Sequence, residues 1–394
     1  MKTLVDVVNL NADASCLSSN WWLKMLNGGK SSYFYKWLKS YVDLQKKISL
    51  GLTGATISDI AGFNPEAIDL INKNRDVFEI ILRPYAHDIA LLRSKEGFEL
   101  NLTAGIKTIQ KEFDYYTPYF LPPEFMLTNE QVKILSEYKI EGTFINAGRF
   151  KKEIKERLPE EPYIVKGIFG SELKCIPFES PLTQLYLRSI HYYTAKEWNE
   201  YFVKQQNDSC FYMWRDGESS FFLPDGNERE RTWLKKESKE IERKFLSEQE
   251  ESVNYKLNRY LKEKHYHHYP VHSFMAWMRE SRMLGYIMNV QEFERRLTTL
   301  NKEEMSIWML LINSDILSAV EKDSPEITIL KNAKDTEEIK HVIWRCERGM
   351  EGEEWLNILR YGIQNKTVKA YLEKSTSKQV AKYTNRLDYL STIL

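Results

Sequence analysis

The stretch YFLPPEFMLT, residues 119–128, separates two structural units of the chain. Its first three residues are apolar and favour an extended strand. Two prolines then end that strand, because proline has no N–H to donate to a ladder and holds the preceding residue in an extended conformation. Glu124 follows directly. Side chains just past the carboxyl ends of strands in α/β sheets face the ligand side, so Glu124 is a candidate functional residue. The other interpretation is a solvated loop carboxylate.

Strands and helices alternate on both sides of this stretch. Before it, the sequence patterns predict strands at 3–10, 48–54 and 76–82 and helices at 33–47, 65–73 and 99–113. After it, they predict a helix at 129–138 and strands at 142–146, 163–170, 173–178 and 210–214. Alternation at this spacing predicts an α/β fold, in which parallel strands joined by right-handed crossovers form a barrel.

The character of the chain changes after about residue 228. Residues 229–264 are rich in charge and have helical periodicity, and nearly everything from Ser273 to the C-terminus is typical of helices. We therefore predict two domains, a barrel over residues 1–230 and an α-helical domain over residues 231–394 that completes the cleft. A chain of 394 residues has room for both.

Composition narrows the possible partners. The 56 basic and 56 acidic residues cancel, so no net field attracts nucleic acid or an anionic membrane surface. No apolar run approaches the roughly 18 residues of a membrane span, and the first residues lack the features of a secretory signal. These features predict a cytoplasmic protein without nucleic-acid or membrane partners. The 10 Trp and 23 Tyr residues would suit stacking on sugar rings, or simply fill cores.

Metal and cofactor sites are not predicted. Residues 264–272 hold four of the seven histidines, but Pro270 disfavours the regular helix that would align His268 with His272, and no H-E-x-x-H motif is present. The four cysteines form no C-x-x-C pair. Glycine-rich nucleotide-binding motifs and the G-x-S-x-G elbow are also absent, so we predict no cofactor.

Two carboxylates past strand ends suggest glycan chemistry. Glycosyl transfer needs one carboxylate that attacks or stabilises the anomeric carbon and another that protonates the leaving oxygen. Glu124 and Asp216 both follow predicted barrel strands, and side chains distant in sequence converge at the carboxyl ends of such strands. The polar residues after the first strand, Asn9, Asn11 and Asp13, fit either the same site or a simple Asx-rich turn.

The order of these segments resembles glycoside hydrolase family 57. Residues 48–54 and 77–87 resemble its second strand and its glutamate strand with the Pro-Tyr-x-His turn, and residues 120–124 resemble the block with its nucleophile. Residues 214–218 are similar to its Asp-Gly-Glu motif, and residues 313–315 to its Ser-Asp block. The resemblance implies an incomplete (β/α)7 TIM-like barrel followed by an α-helical C-terminal domain, and an enzyme of α-glucans and related α-glycosides.

Some family features are missing. The family's first strand normally ends in His-Gln-Pro, where this chain has Asn9, Asn11 and Asp13. The block at residues 177–182 lacks the family's Arg-Asp pair. Related barrels include metal-dependent polysaccharide deacetylases, and Asp13 and His87 could supply two of their ligands. The second histidine of the H-x-x-x-H turn is replaced by Leu91.

From the resemblance we predict retaining hydrolysis or transglycosylation of α-glycosidic bonds in an oligo- or polysaccharide. Glu124 would be the nucleophile and Asp216 the general acid/base, with carboxyl groups about 5–5.5 Å apart. Further residues are expected to bind substrate: Asn11, Asp13, His87, Trp214, Glu218, Asp315 and, more peripherally, Trp21 and Trp22. The alternatives are a catalytically inactive barrel that binds a glycan or a protein, and a metal-dependent deacetylase.

Overall fold

The structure is a computed structural model that describes part of the chain. It describes residues 2–11, 21–146, 162–167, 170–178, 180–191, 194–204, 210–217, 226–249, 256–257, 267–269, 272–273, 281–314 and 380–394.

The described strands are as follows: β1 (Lys2–Leu10), β2 (Ile48–Leu52), β3 (Phe78–Leu82), β4 (Thr117–Phe120), β5 (Gly142–Asn146), β6 (Tyr163–Lys166), β7 (Glu172–Phe178), β8 (Cys210–Asp216), β9 (Ile241–Arg243), β10 (Lys256–Leu257), β11 (His267–Tyr269) and β12 (His272–Ser273). The described α-helices are α1 (Trp21–Leu26), α2 (Tyr33–Leu44), α3 (Gly54–Phe63), α4 (Pro65–Lys73), α5 (Lys95–Phe113), α6 (Asn129–Glu137), α7 (Ser180–His191), α8 (Lys196–Val203), α9 (Gly226–Lys236), α10 (Ser281–Glu294), α11 (Lys302–Leu311) and α12 (Val380–Ile393).

One sheet of ten strands forms the barrel. Its order is β10-β6-β7-β5-β4-β3-β2-β1-β8, and β9 pairs with the beginning of β1. Neighbouring strands are parallel except for the antiparallel pair β6–β7. The sheet curves until β8 contacts β7. In the described chain these two strands form no hydrogen-bonded ladder with each other. The alternation of strands and helices thus produces the predicted incomplete barrel.

Side chains alternate between the two faces of the sheet, as strand geometry requires. On β1, Val5 and Val7 point into the barrel, where they pack with the inner cluster that includes Phe144 and Tyr212. Leu4 and its even-numbered neighbours point outward and pack under the helices. The same alternation directs Asn9 into the barrel, at the carboxyl end of β1.

Glu79 closes the amino-terminal end of the barrel. It lies on β3 and is buried. Its carboxylate accepts hydrogen bonds from Ser49 Oγ at 2.6 Å and from the backbone N–H groups of Leu246 and Ser247, each at 3.0 Å. A buried carboxylate is tolerated when donors surround it in this way. The glutamate of this strand therefore has a structural role at the end opposite Glu124.

A buried charge network fixes β8 and β9 against β1. Asp6 accepts a hydrogen bond from Arg215 Nε at 2.9 Å and another from Arg243 Nη1 at 2.6 Å. Arg243 also donates to Glu237, again at 2.9 Å. Burial raises the pKa of Asp6, but the two guanidinium groups outweigh this effect and leave the pKa of Asp6 below its usual range. Removing one member of such a network would leave another charge buried and unpaired.

The C-terminal segments pack on the barrel through a second cluster. Helices α10, α11 and α12 supply most of it, and Tyr85 and Met126 supply part of the barrel side. Arg386 of α12 forms a buried ion pair with Asp59 of α3. The cluster holds residues 313–314 close to the carboxyl ends of the strands.

The region around the predicted domain boundary contains sheet as well as helix. Residue 230 lies within α9, and β9 and β10 beyond it pair with β1 and β6. The continuous helical periodicity predicted for residues 229–264 is wrong at β9 and β10, because these segments are extended and pair with β1 and β6. The division into a barrel at 1–230 and a helical domain at 231–394 remains a prediction.

Candidate active site

Glu124 sits in an unusual turn directly after β4. Residues Pro123–Phe125 form a short 3₁₀ turn, in which Glu124 has φ 55° and ψ 11°. The next residue, Phe125, also has a left-handed φ, of 53°. Left-handed backbone at two residues with side chains is uncommon and persists only where the surroundings enforce it. Here it turns Glu124 inward, where the side chain is buried.

Two groups from other parts of the chain reach the Glu124 carboxylate. His87, in the loop after β3, places Nε2 3.8 Å from Glu124 Oε1. The hydroxyl of Ser314, which follows α11, donates a hydrogen bond to the same oxygen over 3.5 Å. Both side chains are buried. Glu124 therefore lies where the ends of two barrel strands meet the C-terminal segment.

His87 is held by three contacts. Asn11, just past β1, hydrogen-bonds through Nδ2 to His87 Nδ1. Ser314 Oγ lies 3.3 Å from the same nitrogen, and the Ser314 N–H donates to the His87 carbonyl at 2.7 Å. The adjacent residues Asp88 and Asn313 form an antiparallel bridge. The imidazole therefore has little freedom to rotate.

Asp216 is the last residue of β8, at the same end of the barrel. Strand register places it opposite Asn9, whose Nδ2 donates to Asp216 Oδ1 at 2.7 Å. The Gly217 N–H then donates to the Asn9 carbonyl at 2.7 Å. The Asp216 side chain is only partly buried, so it can meet a ligand as well as Asn9.

An aromatic contact joins the two carboxylate-bearing loops. The ring of Phe125, next to Glu124, meets the ring of Trp214 edge-on, with centroids 5.1 Å apart and planes at 72°. Trp214 precedes Asp216 by two residues, so both point to the inner face of β8. Phe125 also packs against Phe178 of β7, with centroids 5.9 Å apart. The structure thus brings together the ends of β4, β7 and β8.

Of the predicted site residues, Glu124, Asp216, Asn11, His87 and Trp214 lie at this end of the barrel. Asp13, Glu218 and Asp315 lie outside the described residues, as does the side chain of Trp21.

Trp22 requires a correction. It is fully buried in the outer core, where its ring meets Phe34 edge-on with centroids 5.4 Å apart. A side chain enclosed in this way presents no face to a sugar. The adjacent pair of tryptophans suggested an outer subsite, but α1 turns Trp22 toward the sheet.

Arg83 was missed as a site residue. It follows β3 directly and is 1% exposed at the same end of the barrel. Its side chain passes over Gly51, where an added Cβ would lie 3.3 Å from Arg83 Cδ. A charged residue immediately after a fully apolar strand end was the available signal. Ser314 lies within the block at residues 313–315 that resembles the family's Ser-Asp motif, but only Asp315 of that block was predicted to bind substrate.

Metal ligation has little support in the described residues. Within those ranges, no group of three or more His, Cys, Asp or Glu side chains is arranged to hold an ion. The histidine-rich stretch forms the antiparallel pair β11–β12. None of the helices within the described ranges is long and apolar enough to cross a membrane.

Comparisons with known proteins identify the fold and the family. The family model described as glycosyl hydrolase family 57 matches residues 7–298. A family 57-type branching enzyme from Pyrococcus horikoshii superposes with a TM-score of 0.68 at 11% identity, covering 98% of this chain and 95% of that one. A branching enzyme from Thermococcus kodakaraensis gives a TM-score of 0.61 at 9% identity and covers 100% and 96% of the two chains.

A further structural neighbour is larger than this protein. The 4-α-glucanotransferase from Thermococcus litoralis has a TM-score of 0.56 at 15% identity, covering 87% of this chain but 54% of its own length. The chain thus spans about half of that enzyme. At such identities the likeness shows a shared fold. No curated protein sequence matches the chain.

Proposed function

The chain belongs to glycosyl hydrolase family 57, and from this premise we propose that it is a retaining enzyme that hydrolyses or transfers α-glycosidic bonds in an oligo- or polysaccharide. The observation that carries the proposal is that Glu124 and Asp216 lie at the same end of the barrel. Glu124 follows β4 and Asp216 is the last residue of β8, and the ring contact between Phe125 and Trp214 joins the two segments. Retaining chemistry needs two such carboxylates facing one sugar.

In this mechanism Glu124 attacks the anomeric carbon and forms a glycosyl ester. Its burial beside His87 and Ser314 orients the carboxylate. Asp216 protonates the departing glycosidic oxygen and later takes a proton from water or from an acceptor hydroxyl. Its partial exposure suits a group that must exchange protons with ligands.

The remaining predicted substrate residues fit around this pair. His87 lies beside Glu124 and Asn11 contacts His87, and both could donate to sugar hydroxyls. Trp214 offers ring surface on the same strand as Asp216. Asp13, Glu218 and Asp315 are proposed as further hydroxyl ligands from the family resemblance alone. A cytoplasmic location and the absence of nucleic-acid partners are likewise proposals from the sequence.

The test is cleavage of α-linked oligosaccharides by the wild type and by Glu124→Gln and Asp216→Asn. We expect a loss of at least about 1,000-fold in kcat for Glu124→Gln, because the amide cannot form the ester, and a retained anomeric configuration in the wild-type product by NMR. Glu130→Gln makes the same isosteric change at an exposed position six residues away and should retain full activity. Activity that survives Glu124→Gln, or inversion of the anomer, would contradict the proposal.

A second candidate function is glycan binding by a barrel that neither cleaves nor transfers the bound glycan. The Asn9 amide that donates to Asp216 Oδ1 stabilises the ionised carboxylate, which opposes its role as a general acid. Calorimetry separates the two functions. Tight binding of a maltooligosaccharide by the wild type, with no product after prolonged incubation, would favour the binding function.

A further inference from the structure

We infer that Asn11 and Ser314 are positioning residues that orient Glu124 through His87, with Asn11 fixing the imidazole as the tautomer that carries its proton on Nε2. The catalytic part of this inference rests on the proposed role of Glu124 as the nucleophile. The protonation pattern itself is a property of the folded chain and can be tested without substrate.

The hydrogen bond at His87 Nδ1 determines the tautomer of the ring. A neutral imidazole has one nitrogen that carries a proton and one that accepts a hydrogen bond. Asn11 places its amide nitrogen, a donor only, against Nδ1. Nδ1 must therefore be the accepting nitrogen, and the ring proton lies on Nε2.

The opposite ring nitrogen of His87, Nε2, lies 3.8 Å from Glu124 Oε1, so its N–H dipole points to the carboxylate. Both side chains are buried, and the attraction is stronger there than it would be in water. With the other tautomer, a lone pair would face the carboxylate and repel it. Asn11 thus acts on Glu124 through the imidazole of His87.

The hydroxyl proton of Ser314 has two possible acceptors. Ser314 Oγ lies 3.3 Å from His87 Nδ1 and 3.5 Å from Glu124 Oε1. Because Asn11 already occupies the acceptor position on Nδ1, the hydroxyl donates to Glu124. Its backbone N–H, which donates to the His87 carbonyl at 2.7 Å, holds it in place. Glu124 Oε1 therefore accepts a hydrogen bond from Ser314 and faces the Nε2 N–H of His87, and these two groups come from separate segments.

The decisive measurement is the tautomer of His87 in the full-length chain. Long-range ¹H–¹⁵N correlation spectra of protein labelled at its seven histidines distinguish the two ring nitrogens, and His87→Gln identifies the His87 signals. We expect a proton on Nε2 and a bare Nδ1 in the wild type. Asn11→Asp should place a proton on Nδ1, because the new carboxylate only accepts, whereas Asn11→Ala should give a mixture. A wild-type ring with its proton on Nδ1, or a bare Nδ1 in Asn11→Asp, would overturn the inference.

Ser314→Ala tests the second positioning residue. The His87 Nδ1 shift should stay unchanged, since the hydroxyl proton is directed to Glu124, while kcat should fall about 10- to 100-fold with little change in KM. The matched control is Ser306→Ala, because Ser306 is also buried but donates to the Lys302 carbonyl within α11. A large Nδ1 shift in Ser314→Ala, or an equal loss in both variants, would refute the role of Ser314. Failure of the proposed function would instead appear as activity retained in Glu124→Gln, with the tautomer unaffected.

Discussion

Gly51 shows how a single missing side chain makes room for the candidate site. It lies on the inner face of β2, where an added Cβ would be 2.7 Å from Leu121 Cδ2 and 3.3 Å from Arg83 Cδ. A Cβ practically never approaches another heavy atom as closely as the first of these distances. The absent side chain leaves room for the Leu121 and Arg83 side chains on this face of the sheet.

We therefore expect Gly51→Ala to destabilise the protein by about 1–3 kcal/mol, because Leu121 and Arg83 must both move. Chemical denaturation followed by fluorescence would measure the change. Gly285→Ala is the control, since an added Cβ there would lie within 4 Å of no described atom outside its own helix. In the helix α10 that change should be neutral or stabilising by up to about 1 kcal/mol. Equal effects of the two substitutions would show that the crowding at Gly51 is relieved at little cost.

The backbone of Glu124 is also a residue-scale feature that the sequence concealed. Two prolines predicted the end of the strand and the turn, and both are present. They did not predict a left-handed conformation at Glu124 and Phe125, because side chains of this size usually avoid it. The packing of Phe125 between Trp214 and Phe178 supplies the contacts that hold it.

At the scale of the elements, the contact between the loop after β3 and the C-terminal helices contains two carboxylates and one guanidinium group. Asp88 and Glu294 share one guanidinium group, that of Arg93, at 3.1 Å and 2.6 Å. Burial raises the pKa of Asp88 to about 7, with Arg93 opposing the rise and Glu294 adding to it. Asp88 is next to His87, and its backbone bridge to Asn313 holds Ser314 at the site.

A raised carboxyl pKa makes folding depend on pH in a definite direction. Between about pH 4 and pH 7 the folded state binds a proton at Asp88 that the unfolded state has lost, so this group reduces stability as the pH rises through that range. Asp88→Asn should remove the effect. It should match the wild type near pH 4 and be more stable by about 1–3 kcal/mol near pH 8.

Denaturation curves at several pH values would test this prediction, with the exposed Asp76→Asn as control. The quantity to compare is the difference between variant and wild type, because other groups titrate equally in both. A difference that does not change between pH 4 and pH 8 would show that Asp88 keeps an ordinary proton affinity.

At the scale of the whole molecule, helix α12 is joined to the barrel by a buried ion pair. Arg386 Nε donates to Asp59 Oδ1 at 2.7 Å, and both side chains are buried. Burial raises the pKa of Asp59, and Arg386 opposes that rise. The pair connects residues that are 327 positions apart in the sequence.

Arg386→Ala should cost about 3–5 kcal/mol, because it leaves the Asp59 carboxylate buried and unpaired. Hydrogen exchange should speed up in α12 and in the facing α3, while the amides of β4 and β5 stay protected. The double variant Asp59→Asn/Arg386→Ala should recover part of the loss. If the single variant is as stable as the wild type, α12 is held by its apolar contacts alone.

The sequence alone determined the alternation of strands and helices, the end of β3 at Leu82, and the family to which the chain belongs. These features depend on local periodicity, on proline, and on short motifs that ten or twenty residues specify completely. The placement of Glu124 and Asp216 at the carboxyl ends of two strands was predictable for the same reason, although their chemical roles remain proposals.

Only the tertiary structure decided which side chains meet. Ser314 reaches Glu124 across 190 positions, and Asn9 reaches Asp216 across 207. It also buried Trp22, added β9 to the sheet beside β1, and brought Asn11 to His87. Such contacts depend on how far the sheet curves and on the packing of the C-terminal helices, and no local pattern specifies either.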